Sequence, residues 1–347
     1  MNAFPSIAIV LLNYNGKELL QRNLPFILQA TYANKKIAVI DNASADGSVL
    51  FLKNNYPDIQ LIELSSNKGY AGGYNEGLQL VAADYFILLN TDVEVTPGFI
   101  EPLLDTMNAH PAAGICQPKI LSLENRHMFE YAGASGGFID KYGYTFARGR
   151  ILDFSEEDMG QYDTNRKIFW ASGACFMIKA SLFHEMNGFY DYYFMYAEEV
   201  DLCWRVQLTG KKIFCCATSV VYHKETAEFA SQSAKRVYYV FRNNLVMLFR
   251  NLTFSDKLWI IPVRLALNIA AAFHFLVRGY FKKSWLIVLS VLAAFKWLIF
   301  EKKESVQHKK SIRKIDTVYK KSILVNYYFR NRKTFSAIDD SSLNNPH

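Results

Sequence analysis

Cysteine is scarce in this chain and badly placed for structural use. Only five of the 347 residues are cysteine, no C-x-x-C occurs, and the one close pair, Cys215 and Cys216, is adjacent. A disulfide framework and a thiolate zinc site are thereby excluded as organising devices, and a reduced, cytosolic setting is expected. The start of the chain carries no basic stretch and no small-residue cleavage signal, and its apolar run, Ile7–Leu12, is too short for a signal sequence. The run reads as a buried strand of a body that is not secreted, where the N-L-T sequon at Asn251 would meet no glycosylation machinery. A disorder-like composition is also missing: 51% of residues are hydrophobic and 15% aromatic, enough for a sizeable core. Neither a Walker A loop nor G-x-G-x-x-G occurs, which removes the standard NTPase and dinucleotide sites.

Charge is present but unevenly spread. The net +7 conceals a body, residues 1–233, with 18 basic and 26 acidic side chains, and a stretch 234–333 with 21 basic and 4 acidic. The remaining 334–347 adds two aspartates and reads as a disordered tail. An acidic body joined to a basic last third is expected to be two physical objects.

In the body, four short apolar runs alternate with helical or turn-rich stretches: 6–13, 36–41, 59–64 and 85–90. That alternation predicts an α/β fold with a mostly parallel, doubly wound sheet flanked by helices. Ligands of such sheets bind beyond the carboxyl ends of the strands. Polar residues recur at those ends in order: Asn13 and Asn15, then Asp41, then Asn67 and Lys68, then Asn90 and Asp92. The segment NKGYAGGYNEG (67–77) adds Gly69, Gly72 and Gly73, where backbone could approach a ligand and a following helix could aim its N–H groups at an anion.

LLNYNG, DNASADGS, NKGYAGGYNEG and LLNTDVEV, with the later segments 170–213 and VVYH (220–223), resemble the family 2 glycosyltransferases of GT-A (Rossmann-like) fold. The likeness is strongest to the non-processive, rhamnosyltransferase-like members and covers roughly the first 230 to 250 residues. It implies a nucleotide-sugar donor site lined by Asn13, Tyr14, Asn15 and Asp41, with Asn67, Lys68, the three glycines and Asn75 beside the nucleotide and sugar. The family's D-x-D metal motif corresponds to Asn90-Thr91-Asp92, so one carboxylate is replaced by an amide. Asp92, with Asn90 and His223, is the implied site for a divalent cation, Mg²⁺ or Mn²⁺. The acid cluster AEEVD supplies Glu198, Glu199 and Asp201, of which Glu199 corresponds to the family's general base. Trp170, Ser172 and Gly173 are expected on the acceptor side, and Arg148 and Arg150 within reach of the diphosphate. No Q-x-x-R-W motif follows Glu199, which opposes a processive synthase.

The basic third holds two long apolar segments. In 257–279, Lys257, Arg264, Asn268, His274 and Arg278 fall within an arc of about 120° at ~100° per residue, a pattern suited to a helix in a membrane interface. Residues 284–300 are apolar nearly all round, and Lys282, Lys283, Lys302 and Lys303 flank them at both ends. Basic flanks on both sides oppose a single clean crossing, so a peripheral, monotopic or shallow hairpin attachment to an anionic membrane surface is expected. Interleaved cations and apolar runs suit lipid headgroups better than nucleic acid. The resulting expectation is an inverting glycosyltransferase at the cytoplasmic face of the cell membrane. Its donor would be dTDP-rhamnose, and its acceptor a saccharide on a polyprenyl diphosphate, in cell-surface polysaccharide biosynthesis. A nucleotidyltransferase and a catalytically dead nucleotide-sugar-binding scaffold remain the alternatives.

Overall fold

In a computed structural model, residues 4–224, 234–301, 306 and 309–338 are described. β1 (Ile7–Asn13) sits in the parallel half of a mixed sheet and serves both of its faces. Ile7, Ile9 and Leu11 join a core with Leu20, Leu24 and Ile27 of α1 (Lys17–Leu28), whereas Ala8 and Val10 join Ala71, Tyr74 and Leu78 of α3 (Gly69–Leu78). This two-sided burial is why the strand reads as a continuous apolar run rather than an alternating one.

β2 (Lys35–Asp41), β3 (Gln60–Glu63) and β4 (Tyr85–Asn90) run parallel with β1 in the order β3-β2-β1-β4, with α2 (Ser48–Asn55) between β2 and β3. The chain crosses over β1 on its way from β3 to β4, so a topological switch point lies between β1 and β4. Register does the rest: Asn13 pairs with Asp41, and Leu12 with Asn90, which brings three polar strand ends side by side. The sheet continues through β12 (Cys175–Lys179), antiparallel to β4, then β6 (Ala113–Ser122), β13 (Lys212–His223) and β11 (Arg166–Ile168). The short β5 (Val93–Val95) pairs with the last residues of β13 and so carries Asp92 to His223. Helices α4 (Ile100–Ala109), α5 (Ala180–Glu185) and α6 (Glu198–Leu208) complete the layers.

A second sheet was not foreseen. It is built from β7 (Gly137–Asp140), β8 (Thr145–Ala147), β9 (Arg150–Ile151), β10 (Phe154–Ser155) and β14 (Val318–Tyr319). Strands of two to four residues are too short to show a period in sequence.

The last third is tied into the body rather than appended to it. β14 extends the second sheet beside β7, and the buried face of α7 (Ala234–Asn251) meets the loop before α6. Residues 334–338, expected with the disordered tail, pack as well: Phe335 and Ile338 are buried, and the Phe335 N–H donates to Glu156. The rest of that tail, like Lys302 and Lys303, lies outside the described residues.

α8 (Phe254–Val277) and α9 (Phe281–Phe300) form an antiparallel pair, each long and apolar enough to cross a membrane. The polar arc expected on α8 divides. Arg264 and Asn268 point into the protein, Arg264 lying over the Tyr144 ring at 3.4 Å, whereas His274 and Arg278 are exposed. The outward stripe is apolar, with Phe254, Leu258, Ile269 and Phe273 all more than 60% exposed.

Candidate active site

The strand ends converge, but several expected ligand contacts are taken up by the protein itself. Asn13 is fully buried and donates to Asp41 (2.9 Å) and to Ser44 Oγ (3.1 Å), while its own Oδ1 has no partner. The Asp41 carboxylate, 1% exposed, also accepts the Ser44 N–H at 2.8 Å, so it locks the ends of β1 and β2 to the following turn. Asn15, at φ 50°, braces the same turn through the Ala45 N–H, and Tyr14 stands exposed at the rim.

The glycine segment is placed differently from the expectation. At Gly69, with φ +70°, a Cβ would lie 2.4 Å from the Phe194 carbonyl oxygen. Tyr70 and Ala71 N–H groups donate to that same oxygen, so the start of α3 is satisfied by the protein rather than aimed at an anion. A Cβ on Gly73 would strike Leu12, and one on Gly72 would press on Lys68, so these glycines permit close packing of α3. Asn67 caps the Gly69 N–H with its side chain, and Lys68 is an exposed residue paired with Glu76. Asn75 is a brace: it bonds the backbone of Phe189 in both directions and the Asp191 carboxylate. Asn42, absent from the expected set, fastens the end of β2 to Asn67, Lys68 and Gly69.

Asp92 and His223 meet as expected. His223 Nε2 lies 3.1 Å from Asp92 Oδ1, and Nδ1 lies 3.0 Å from Glu130 Oε1. Burial opposes the imidazolium, but Glu130 and then Asp92 outweigh it and raise the His223 pKa well above its usual value. Once a cation displaces the Nε2 proton, an oxygen and a nitrogen ligand side by side, with a carboxylate behind the ring, fit a divalent ion in the way ligating histidines are commonly oriented. Among the described residues no three His, Cys, Asp or Glu side chains converge as a cage, so a cation here would complete its shell with non-protein oxygens or Asn90. Glu130 went unnoticed because nothing in MFEYAG marks it; its partner arrives from β13.

The acid cluster separates into two roles. Glu198 and Glu199 open α6 side by side. Burial, then the neighbouring Glu199, pushes Glu198 well above the carboxylate range. Burial raises Glu199 to about 7, and backbone N–H groups at the start of α6 keep it from rising further. Asp201 is not available for chemistry. Fully buried, it takes Arg205 and Arg250 at 2.8 Å each and hydrogen bonds from Tyr193 and Asn251. Burial would raise its pKa, but Arg250 and Arg205 prevail and hold it low. The sequon residue Asn251 is thus an internal anchor.

On the expected acceptor side, Trp170 belongs to the core. It is 4% exposed, its Nε1 donates to the Phe138 carbonyl at 2.9 Å, and Gly137 has no room for a Cβ against its ring. Ser172 is also buried, its N–H held by Gln117. Gly173 is half-buried and its carbonyl accepts from the Tyr70 hydroxyl at 2.7 Å. The Asn90 N–H donates to the Ala174 carbonyl, so this short segment is fastened to the end of β4. Arg148 is buried and donates to the Tyr162 and Thr164 carbonyls, and Arg150 donates to Leu152 and lies over Tyr131. Neither is displayed to a diphosphate.

Residues 8–201 match the model of glycosyl transferase family 2, more than half of the chain. The chain belongs to this family. Among its relatives is an N-acetylglucosaminyl-diphospho-decaprenol L-rhamnosyltransferase of Mycobacterium tuberculosis, 28% identical over 242 residues, which cover 63% of this chain and 76% of that one. A low-salt glycan biosynthesis hexosyltransferase of Haloferax volcanii is 26% identical, over 69% of this chain and 74% of the other. Solved structures share the fold. GalNAc-T7 with UDP, GalNAc and Mn²⁺ superposes with TM-score 0.60 at 14% identity, over 87% of this chain and 57% of its own. A Pyrobaculum calidifontis mannosyltransferase with GDP-Man and Mn²⁺ gives 0.53 at 14%, over 87% and 89%. The glycosyltransferase therefore has the GT-A fold expected of it, and the nucleotidyltransferase alternative is set aside.

Proposed function

We propose that this glycosyltransferase moves L-rhamnose from dTDP-rhamnose to a saccharide carried on a polyprenyl diphosphate, with inversion, while docked on an anionic membrane surface. The observation that carries the chemistry is Glu199, half-buried at the head of α6 with its carboxyl raised to about 7, beside Glu198, which burial also raises. A carboxylate so poised suits general-base work at neutral pH. Glu199 takes the proton of the acceptor hydroxyl as that oxygen forms a bond to the anomeric carbon. The bond from that carbon to the diphosphate breaks, and the nucleoside diphosphate leaves with the electron pair. Asp92 and His223, with Asn90 beside them, would hold Mg²⁺ or Mn²⁺, whose charge stabilises the departing diphosphate.

The rhamnose donor and the lipid-borne acceptor rest on the mycobacterial relative's name. Docking rests on α8 and α9, whose buried residues include the polar Arg264, Asn268 and Ser290 while their apolar stripes face outward. Arg278 in the turn between them and Lys282 and Lys283 in the first turn of α9 belong among headgroups rather than in hydrocarbon. These helices would lie in the interface of the cytoplasmic leaflet.

The test offers dTDP-rhamnose, UDP-GlcNAc and GDP-mannose with Mn²⁺ and a polyprenyl-diphosphate GlcNAc acceptor, and follows release of nucleoside diphosphate. Release from dTDP-rhamnose that is abolished in Glu199→Gln supports the reading. Preference for another donor removes rhamnose. Binding without turnover of any donor favours the scaffold.

A further inference from the structure

The turn that delivers Glu199 is held in an unfavourable shape by α7, the first helix of the basic last third. Phe194, Tyr196 and Ala197 have φ of 61°, 68° and 71°, left-handed values at three non-glycine residues within four positions. Such residues persist only where the surroundings over-determine them. Ala197 is the residue before α6, so the turn sets the direction in which Glu198 and Glu199 emerge.

The surroundings come from α7. Asn243 is fully buried, and its Nδ2 lies 2.7 Å from the Met195 carbonyl, 2.8 Å from that of Tyr196 and 3.0 Å from that of Tyr193. Arg242 Nη2 donates to the carbonyls of Tyr192 at 2.8 Å and Tyr193 at 3.1 Å. The Phe194 carbonyl is taken by the start of α3. Every carbonyl from Tyr192 to Tyr196 therefore has a donor, and α7 serves four of the five. The carbonyls are gathered around two side chains, which is an arrangement a relaxed turn would not adopt unaided.

We propose that Arg242 and Asn243 are positioning residues for catalysis: they hold the left-handed turn Phe194–Ala197 so that Glu199 faces the acceptor. The proposal rests on the reading of Glu199 as the base. It makes the C-terminal third a contributor to the reaction as well as to docking.

The test uses the full chain. Asn243→Asp keeps the shape but removes the amide donors, and Arg242→Met removes the guanidinium while keeping bulk. Asn244→Ala, on the same helix, loses only a bond to the Gly143 carbonyl and reports general damage to α7. Hydrogen exchange of residues 193–200 is read first, because it needs no donor. The expected result is at least a tenfold loss of protection there in Asn243→Asp and Arg242→Met, with dTDP affinity within twofold of wild type. With dTDP-rhamnose, kcat should fall 30-fold or more at little changed KM, and the acid limb of its pH profile should move. Wild-type protection in both variants overturns the proposal, as does an equal kcat loss in Asn244→Ala. Arg242→Lys, which retains a donor, should recover part of the loss. If Glu199→Gln turns over normally the base reading fails, and the exchange data still decide whether α7 orders the turn.

Discussion

Glu198 and Glu199 stand side by side at the head of α6, and burial raises both carboxyls above their usual range, Glu199 to about 7. Glu198→Gln keeps a neutral side chain of the same size beside Glu199 and should keep turnover within a few-fold. Glu199→Gln should lower kcat by about 10² to 10⁴, the usual worth of a general base. In the wild type, kcat should decline as pH falls below about 7, where Glu199 gains its proton. Equal effects of the two substitutions would contradict the division of roles.

The same pair gives stability a pH dependence. A carboxyl whose folded pKa is raised is most favourable when protonated. Its contribution is complete below the unfolded value of 4.5 and is lost as pH rises through about 7. Glu199→Gln should therefore stabilise the protein at pH 8 by on the order of 1–3 kcal/mol and have little effect at pH 4. Thermal unfolding at the two pH values checks this.

Asp201 has the opposite sign and a structural task. Its lowered pKa adds stability above about 3.8 that is lost as pH falls below it. Asp201→Asn leaves Arg205 and Arg250 facing a neutral amide, and a loss of roughly 3–5 kcal/mol is expected. Urea unfolding of the full chain measures it. A fall in kcat with unchanged stability would instead return Asp201 to the chemistry.

Glu130 should matter to cation binding although it is not a ligand. Glu130→Gln should weaken Mn²⁺ affinity by about 10-fold, as substitutions behind a ligating imidazole do. Titration calorimetry with Mn²⁺ in the presence of dTDP reads this directly, and unaltered affinity would detach Glu130 from the role.

The outward stripe of α8 and α9 predicts flotation with vesicles containing phosphatidylglycerol. Replacing Leu258, Phe273 and Trp285 together by Glu should abolish flotation without unfolding the protein, since all three are at least 60% exposed. A variant that floats as before would refute interfacial docking. A chain cut at 233 would not serve as a lipid-free control, because the cut removes Arg250 and Asn251 from Asp201.

Much of the parallel half was legible in sequence, because buried strands leave apolar runs and their ends leave Asn and Asp. Asp92 and His223 were legible as a pair through the family's spacing. The glycines were noticed for the wrong reason: what approaches Gly69 is Phe194, a neighbour that only the tertiary fold supplies. Trp170 misled because an aromatic beside a small-residue turn looks alike in a binding cleft and in a core. Glu130 and Asn243 were invisible, since an ordinary Glu or Asn gains meaning only from the carbonyls or the imidazole brought to it. The charge boundary near 233 is real in composition, but it does not mark a mechanical division.

The pairing of β14 with β7 bears on how the protein is made. Ile323 is bonded to Asp140 across 183 positions of sequence, and Phe335 to Glu156 across 179. A chain leaving the ribosome cannot close the second sheet until these late residues are synthesised, and contacts of such separation form slowly. The greasy helices α8 and α9 therefore emerge before the domain that carries them is finished. If α8 and α9 dock as proposed, capture by the membrane during synthesis would shelter them through that interval.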